Sequence, residues 1–249
     1  MNLVDTHAHL DLLEGDVAEA LERARAVGVT GVIAIGIDLK SSRRAVELAH
    51  TFPQVHAVVG MHPHDALDLD DAALHELRRL AGDPRVVGIG ETGLDFYRNL
   101  SPRADQERAF RSLVELAREL VLKVVVHDRE AHADTMRILG EFAPFDGGLV
   151  MHCFSGDLDM AHAVMDMGGY VSIAGPVTFH NARRLQDIVR ELPLERMLIE
   201  TDSPFLSPHP FRGKPNFPER LLLIAEKVAE LKGIAVEDLA LPNPFYADK

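Results

Sequence analysis

The chain has 249 residues, of which 47% are hydrophobic and 26% are charged. These fractions are typical of globular proteins, so they exclude a disordered chain and a fibrous repeat. There are 26 lysine and arginine residues against 39 aspartate and glutamate residues, which gives a formal net charge of −13 at pH 7. A protein that grips nucleic acid through a broad basic surface is therefore disfavoured, whereas a small active site that cuts nucleic acid is not.

Cysteine content and hydropathy indicate a cytoplasmic protein. Cys153 is the single cysteine, which excludes an internal disulfide framework and a zinc module of four cysteines. No apolar run approaches the ~18 residues that span a bilayer. The N-terminus has no basic region before an apolar stretch, so it does not predict a signal peptide. We expect no membrane association, and no obligate protein partner is evident.

Short β-branched runs alternate with longer segments of helical periodicity. The runs are nearly continuous in apolar character and are bounded by Gly, Pro or Asp, as expected for parallel strands buried on both faces. The eight predicted strands are Leu3–Thr6, Gly31–Ile35, Val55–Val59, Val86–Ile89, Val121–His127, Gly148–His152, Tyr170–Ile173 and Met197–Glu200. The predicted helices are Asp16–Val27, Ser41–Thr51, Asp70–Leu80, Ala104–Leu120, Thr135–Phe142, Asp157–Asp166, Asn181–Leu192 and Glu219–Leu231.

This alternation, without a low-complexity linker, predicts a single (β/α)₈ barrel of the TIM type that spans residues 1–249 as one domain. An open, doubly wound sheet is the alternative. Such a sheet usually carries a Gly-rich phosphate loop after its first strand. Here the first strand is followed by HAHLD, which cannot serve that purpose.

The predicted strand ends carry the residues that bear chemistry, and in a barrel the active site lies at these carboxyl ends. His7 and His9 are two residues apart, so in an extended chain both imidazoles project to one side and suit a divalent cation. Further candidates lie at the ends of strands 4, 5, 6 and 8, namely Glu91, His127, His152 and Asp202.

Each candidate alone also has a structural interpretation. A lone histidine near a strand end is often a hydrogen-bonded structural residue, and Glu91 between glycines could be a turn residue. Asp202 before Ser203 and Pro204 would suit a helix cap. The joint placement of six such residues at the strand ends of one ring favours a metal centre instead.

Six candidate ligands suit two cations, because one catalytic metal usually takes three protein ligands. Glu91 is the best shared ligand, since it lies between the group from strands 1 and 8 and the group from strands 5 and 6. Two cations ~4 Å apart can ionise a shared water and stabilise the attacking and leaving oxygens of a phosphate. Asp202 would also be a partner for the proton of that water.

Other residues at the strand ends have weaker assignments. His62 and His64 flank Pro63, and either could contact substrate or make hydrogen bonds within the loop. Asp95 and Arg98 have the same two interpretations.

The remaining candidates are interpreted as structural or surface residues. Asp5 is expected to orient a ligand histidine or to be structural. Strand alternation is expected to turn Cys153 away from the ligand side, as a packed residue. Seven histidines are interpreted as surface residues: His50, His56, His75, His132, His162, His180 and His209.

Basic and aromatic residues of the predicted loops could contact a nucleic acid. The basic candidates near the barrel mouth are Arg98, Arg129, Arg212 and Lys214. The aromatic candidates for stacking on a base are Phe96, Tyr97, Phe154 and Phe205. Ordinary solvated charge and core packing are the alternatives.

Seven motifs resemble the TatD family of metal-dependent deoxyribonucleases, in the amidohydrolase superfamily. They are DTHAHL (5–10), GMHPHD (60–65), GIGETGLDFY (88–97), VVVHDRE (124–130), HCFSG (152–156), ETDSPFL (200–206) and FRGKPNFP (211–218). The resemblance runs from Asp5 to about Gly233 in the expected order. An HxH pair alone marks only the superfamily, whereas GETGLD, HCFSG and ETDSP together are far more specific.

The resemblance implies a distorted barrel with two divalent cations. One cation would be held by His7, His9, Glu91 and Asp202. The other would be held by Glu91, His127 and His152. His62 would face the scissile phosphate. Histidine and carboxylate ligands accept Mg, Mn, Zn or Fe, so the sequence does not identify the metal.

The resemblance also implies hydrolysis of DNA, with single-strand ends as the substrate, 3′-5′ exonuclease polarity and a link to DNA repair. An alternative is a TatD-like hydrolase of D-aminoacyl-tRNA or of a small ester or amide. A non-enzymatic scaffold would predict a lost ligand, and none is lost. The segment from about 234 to 249 departs from the family, because Pro242 and Pro244 cannot continue the family's last helix.

Overall fold

The computed structural model describes residues 2–239 and contains the predicted eight-stranded parallel sheet. The strands are β1 (Leu3–Ala8), β2 (Val29–Ile35), β3 (Val55–Val59), β4 (Val86–Asp95), β5 (Lys123–Arg129), β6 (Leu149–Met151), β7 (Gly169–Ile173) and β8 (Met197–Ile199). Each strand pairs in parallel with the next along the chain. The predicted (β/α)₈ fold is confirmed, with strand bounds that shift most at the end of β4.

A helix follows every strand and covers the outside of the barrel. The helices are α1 (Val17–Ala26), α2 (Leu39–Thr51), α3 (Asp71–Ala81), α4 (Arg103–Leu120), α5 (His132–Phe142), α6 (Leu158–Asp166), α7 (Arg183–Glu191) and α8 (Leu221–Lys232). Four helices begin after an aspartate whose carboxylate accepts hydrogen bonds from first-turn N–H groups, namely Asp16, Asp38, Asp70 and Asp157. Each such cap stabilises its helix by about 1 kcal/mol, because it satisfies N–H groups without a partner in the helix.

Apolar side chains fill the space on both sides of the sheet. The cluster inside the barrel consists of Ile33, Ile35, Val58, Val87, Val125, Val150 and Leu198. A larger cluster lies between sheet and helices and includes Phe110 and Leu113 of α4. Successive residues of a strand point to opposite faces. The strands are therefore apolar at nearly every position, because both of their faces are buried.

The barrel closes between β1 and the segment that follows β8. Asp202 N donates a hydrogen bond to His7 O at 2.9 Å, and His9 N donates to Ser203 O at 2.8 Å. These two bonds continue the parallel pairing beyond the end of β8 and bring Asp202 beside the two histidines of β1.

The buried Asp5 of β1 stabilises the same junction by hydrogen bonds to Thr201, which follows β8. Its buried carboxylate accepts hydrogen bonds from Thr201 N at 2.8 Å and Thr201 Oγ1 at 2.5 Å. Burial raises the pKa of Asp5 to about 7, although the hydrogen bonds from Thr201 lower it. The Asp5 carboxylate also accepts from His7 N at 3.4 Å. It therefore positions backbone rather than an imidazole ring.

β4 continues past its predicted end at Ile89 because two glycines let it run close to β5. Gly90 and Gly93 have φ values of +149° and +138°, which side chains rarely adopt. A Cβ on Gly93 would lie 2.0 Å from the His127 carbonyl oxygen. Glu91 thus lies inside the strand, and its interpretation as a turn residue is wrong.

Among residues 2–239, no helix is long and apolar enough to cross a membrane. The last described helical turn is Val236–Asp238. The expectation about Pro242 and Pro244 falls on residues outside the described range.

Candidate metal centre and active site

The first group of candidate ligands surrounds one oxygen of the Glu91 carboxylate. His7 lies in β1 and His9 directly after it, with ring centroids 5.1 Å apart. His7 Nε2 lies 3.2 Å from Glu91 Oε2 and 3.7 Å from Asp202 Oδ1. His9 Nε2 lies 3.6 Å and 3.3 Å from the same two oxygens. All four side chains are buried.

The second group surrounds the other oxygen of the same carboxylate. His127 Nδ1 lies 2.8 Å from Glu91 Oε1. His62 Nε2 and His152 Nε2 each lie 3.6 Å from that oxygen. Glu91 therefore faces both groups, with Oε2 toward the histidines of β1 and Oε1 toward His127 and His152. The structure therefore brings together all six predicted metal ligands and places His62 beside them.

Unpaired nitrogen atoms indicate that this cluster suits cations. Among the described residues, neither ring nitrogen of His7 has a hydrogen-bond partner, and neither does His9 Nδ1. Leaving buried polar atoms without partners costs about 1–3 kcal/mol each. Imidazole nitrogens and carboxylate oxygens at such short separations form the donor set that divalent metals bind.

Two further carboxylates stand behind the histidines of the second group. His152 Nδ1 lies 2.8 Å from Glu200 Oε1, and His127 Nε2 lies 3.3 Å from Asp95 Oδ2. Asp95 Oδ2 also lies 2.9 Å from His64 Nε2. A carboxylate behind a ligand histidine orients the ring and selects the tautomer whose other nitrogen is free for a metal.

Sequence reasoning assigned no role to Glu200. The available signal was its spacing of two residues from Asp202 at a strand end, which is the spacing that also relates His7 and His9. The fully buried Glu200 accepts hydrogen bonds from Ser172 Oγ and from Cys153 N, both at 2.6 Å.

The cluster shifts the pKa values of its members. Burial alone would raise the pKa of Glu91, but the charge of His152 and the hydrogen bond with His127 oppose burial, and the pKa lies well below its usual range. Burial lowers the pKa of His127, yet its hydrogen bonds with Asp95 and Glu91 outweigh burial and raise the pKa to about 8.

Cation binding to the second group should strengthen as the pH rises. Because the pKa of His127 is about 8 without metal, a cation must displace its proton at lower pH. Displacement of this one proton should therefore make the affinity for Mn²⁺ rise by up to about tenfold per pH unit from about pH 6.5, and less steeply as the pH approaches 8. Calorimetric titrations across this range measure that slope, and a pH-independent affinity would contradict it.

Stability of the metal-free protein should change in the opposite sense. The pKa of His127 is raised above 6.5, so its contacts stabilise the fold fully below about pH 6.5. That contribution is lost as the pH rises through about 8. The melting temperature after chelation provides the control, and we expect it to fall across the interval in which affinity rises.

A cavity of about 670 Å³ opens over these residues at the carboxyl ends of the strands. The site residues that line it are His9, His62, Glu91, His127, His152 and Asp202. Among the described residues, the basic side chains that line the cavity are Arg98 and Arg129. Phe205, which is half exposed, also lines it. Arg212 does not line it and lies over the Phe179 ring at 4.6 Å.

Lys214 is likewise absent from the described lining of the cavity. Phe154 is buried in the core, and Phe96 packs against the core with the Arg103 guanidinium over its ring. For these residues, the alternatives of solvated charge and core packing describe the structure better than substrate contact.

Two interpretations from the sequence are wrong. Cys153 lines the cavity instead of facing away from it. It lies two residues after the end of β6 and has φ of +44°, so strand alternation does not extend to it. Asp202 caps no helix: its carbonyl accepts a hydrogen bond from Phe205 N at 2.7 Å in a turn, and its carboxylate faces the histidines.

Five of the seven histidines interpreted as surface residues are exposed, namely His50, His75, His162, His180 and His209. His56 lies within β3 and is partly buried. His132 is also partly buried, and its Nδ1 lies 2.7 Å from Asp128 Oδ2.

Comparison with known proteins confirms the resemblance of the motifs. Residues 4–241 match the family described as TatD related DNase. The chain is 41% identical over 240 residues to YabD of Bacillus subtilis, named an uncharacterized metal-dependent hydrolase, with 96% of this chain and 94% of YabD covered. It is 36% identical over 225 residues to the 3′-5′ ssDNA/RNA exonuclease TatD of Salmonella typhimurium, with coverage of 88% and 86%.

A solved structure agrees with these relatives. The crystal structure of YjjV, a TatD homologue from Escherichia coli K12, matches with a TM-score of 0.89 at 28% identity and covers 95% of this chain and 93% of YjjV. The barrel fold and the buried cluster of histidines and carboxylates are consistent with what these relatives are named. The chain therefore belongs to the TatD-related DNase family of metal-dependent hydrolases.

Proposed function

We propose that this hydrolase removes nucleotides from the 3′ ends of single-stranded DNA with two divalent cations, Mg, Mn, Zn or Fe. His7, His9, Glu91 and Asp202 would hold one cation. Glu91, His127 and His152 would hold the other. The observation that carries this proposal is that the two oxygens of one carboxylate, Glu91, face two separate histidine groups. Cations bound there would supply Lewis-acid chemistry, which activates water and neutralises charge on a phosphate.

Asp202 would receive the proton of the attacking water. Its carboxylate borders the cavity and Oδ1 lies 3.3 Å from His9 Nε2. Burial raises the pKa of Asp202, but the hydrogen bond with His9 and the charges of His152 and His7 outweigh burial and lower it. The group is therefore ionised at neutral pH and available as a base.

His62 would act as a donor to the substrate rather than as a ligand. Its Nδ1 accepts a hydrogen bond from His64 N at 3.1 Å, so in the neutral ring the proton is on Nε2. Burial lowers the pKa of His62 well below its usual value, which keeps the ring neutral. An Nε2–H group beside Glu91 Oε1, in a residue that lines the cavity, suits a phosphate oxygen.

The charge distribution supports a single strand as substrate. The chain has a net charge of −13, yet Arg98 and Arg129 border the cavity. This arrangement favours one strand end at the site over broad contact with a duplex. Some relatives carry the name 3′-5′ ssDNA/RNA exonuclease, which supports the same substrate class.

A substrate panel on chelated protein, before and after addition of Mg²⁺, Mn²⁺ or Zn²⁺, tests the proposal. We expect metal-dependent shortening of a 5′-labelled single strand from its 3′ end, and much slower shortening of a blunt duplex. A single strand with a blocked 3′ end is the matched control. Hydrolysis of an aminoacyl-tRNA or a small ester, without cleavage of DNA, would overturn the proposal in favour of the alternative substrates.

A further inference from the structure

Tyr97 and Arg129 form a stacked pair at the edge of the cavity. The Arg129 guanidinium carbon lies 4.0 Å from the centroid of the Tyr97 ring, and Tyr97 is 62% exposed. Arg129 lines the cavity, as does Arg98, whereas Tyr97 lies outside the lining. The pair therefore connects the cavity with the protein surface.

The strand ladder holds this pair in place. Asp95 at the end of β4 is in register with Arg129 at the end of β5, and Phe96 N donates a hydrogen bond to Arg129 O at 3.0 Å. On the other side of Tyr97, Arg98 N donates to Asp95 Oδ1 at 2.7 Å. Because the backbone is tied on both sides of Tyr97, the ring is preorganised relative to the site.

The two arginines are available to an anion. Neither Arg98 nor Arg129 makes an ion pair with a carboxylate of residues 2–239, whereas Arg137 on α5 contacts Asp134 and Glu141. A guanidinium group suits phosphate because its N–H groups match two phosphate oxygens. The mouth of an otherwise acidic protein thus presents two free cations beside an exposed aromatic ring.

We infer that Tyr97, Arg98 and Arg129 bind the nucleotide on the 5′ side of the scissile phosphate, an inference that rests on the proposed nuclease function. The base stacks on the face of Tyr97 that Arg129 leaves open, and the guanidinium groups contact the neighbouring phosphates. Because Tyr97 lies outside the cavity, this nucleotide belongs to the strand that remains after cleavage. Stacking tolerates every base, so the platform binds single strands of any sequence.

Fluorescence anisotropy tests the platform with metal-loaded protein and a 5′-labelled oligothymidylate whose terminal phosphorothioate linkages resist hydrolysis. Tyr97→Leu should weaken binding about 5- to 100-fold, whereas Tyr97→Phe, which keeps the ring, should bind like the wild type. An abasic residue at the second position from the 3′ end should weaken wild-type binding by a similar factor. It should not weaken Tyr97→Leu further, because that variant has no ring to lose.

The charge contribution has its own measurement. Arg129→Gln should reduce the magnitude of the negative slope of log affinity against log salt concentration by about 0.7, the value for one phosphate contact with a single strand. Tyr170 offers a matched control, because the Arg196 guanidinium lies 5.4 Å from its ring centroid in a pair outside the described cavity lining. Tyr170→Leu should leave the affinity unchanged.

A small phosphodiester separates the platform from the catalytic centre. Bis-p-nitrophenyl phosphate has no second nucleotide, so Tyr97→Leu should hydrolyse it with an unchanged kcat/KM. An equal loss on this substrate and on DNA would make Tyr97 structural and overturn the inference, as would equal binding by wild type and Tyr97→Leu. A wild-type protein that cleaves no single strand would instead overturn the proposed nuclease function, whatever the binding result.

Discussion

Glu91→Gln should lower kcat/KM on single-stranded DNA by about 10³- to 10⁵-fold. The substitution keeps the shape of the side chain but removes its charge, and the amide NH₂ group would face imidazoles that need an anion opposite. Because the two oxygens of Glu91 face different histidine groups, this change weakens both proposed cation sites. A cation contributes several kcal/mol to transition-state stabilisation, and 1.36 kcal/mol corresponds to a factor of ten.

Steady-state kinetics and the metal content after dialysis measure this effect. We expect Glu91→Gln to retain less metal than the wild type while its circular dichroism spectrum is unchanged. Glu115→Gln, at an exposed position on α4 outside the described cavity lining, is the matched control and should keep full activity and metal content. A Glu91→Gln protein with kcat/KM within tenfold of the wild type would contradict the role of Glu91 as shared ligand.

Gly93→Ala should destabilise the fold by about 2–6 kcal/mol. At φ of +138°, the alanine would carry backbone strain of about 1–3 kcal/mol. Its Cβ would lie 2.0 Å from the His127 carbonyl oxygen, so β4 and β5 would have to separate. Such overpacking destabilises the fold by about 1–3 kcal/mol more. The separation displaces His127, so cation binding should weaken as well.

Urea unfolding of the purified variants gives the free energy of unfolding directly. Gly213→Ala is the matched control, because Gly213 also has a positive φ of +83° but a Cβ there would meet no atom within 4 Å. The control should therefore lose only the strain contribution, about 1–3 kcal/mol. If Gly93→Ala lowers the free energy of unfolding no more than Gly213→Ala does, the close approach of β5 to Gly93 does not contribute to the destabilisation.

Most of the fold could be predicted because its signal is local. Each buried parallel strand requires a short apolar run, and each helix requires an apolar stripe, so the alternation of the two predicts the barrel. The end of β4 could not be predicted in this way. Glycines such as Gly90 and Gly93 usually predict the end of a strand. Here they are needed inside the strand because the β5 backbone approaches them so closely that a side chain would not fit.

The candidate ligands could also be found in the sequence, because strand ends and two-residue spacing place His7, His9 and Asp202 by local geometry. The supporting contacts could not be found. Glu200 lies behind His152 only because β8 brings its carboxylate to that ring. Cys153 reaches the cavity only because its backbone turns into the left-handed region after β6.

The amino-acid sequence by itself thus determined the barrel, the family and the six residues proposed to bind metal, since all three follow from local patterns and motifs. The tertiary structure decided how Glu91 divides its two oxygens between histidine groups, which carboxylates stand behind His127 and His152, and that Arg129 stacks on Tyr97. Such contacts join residues far apart in the chain. Their distances depend on strand register and barrel closure, which are set by the packing of the whole sheet and not by any one segment.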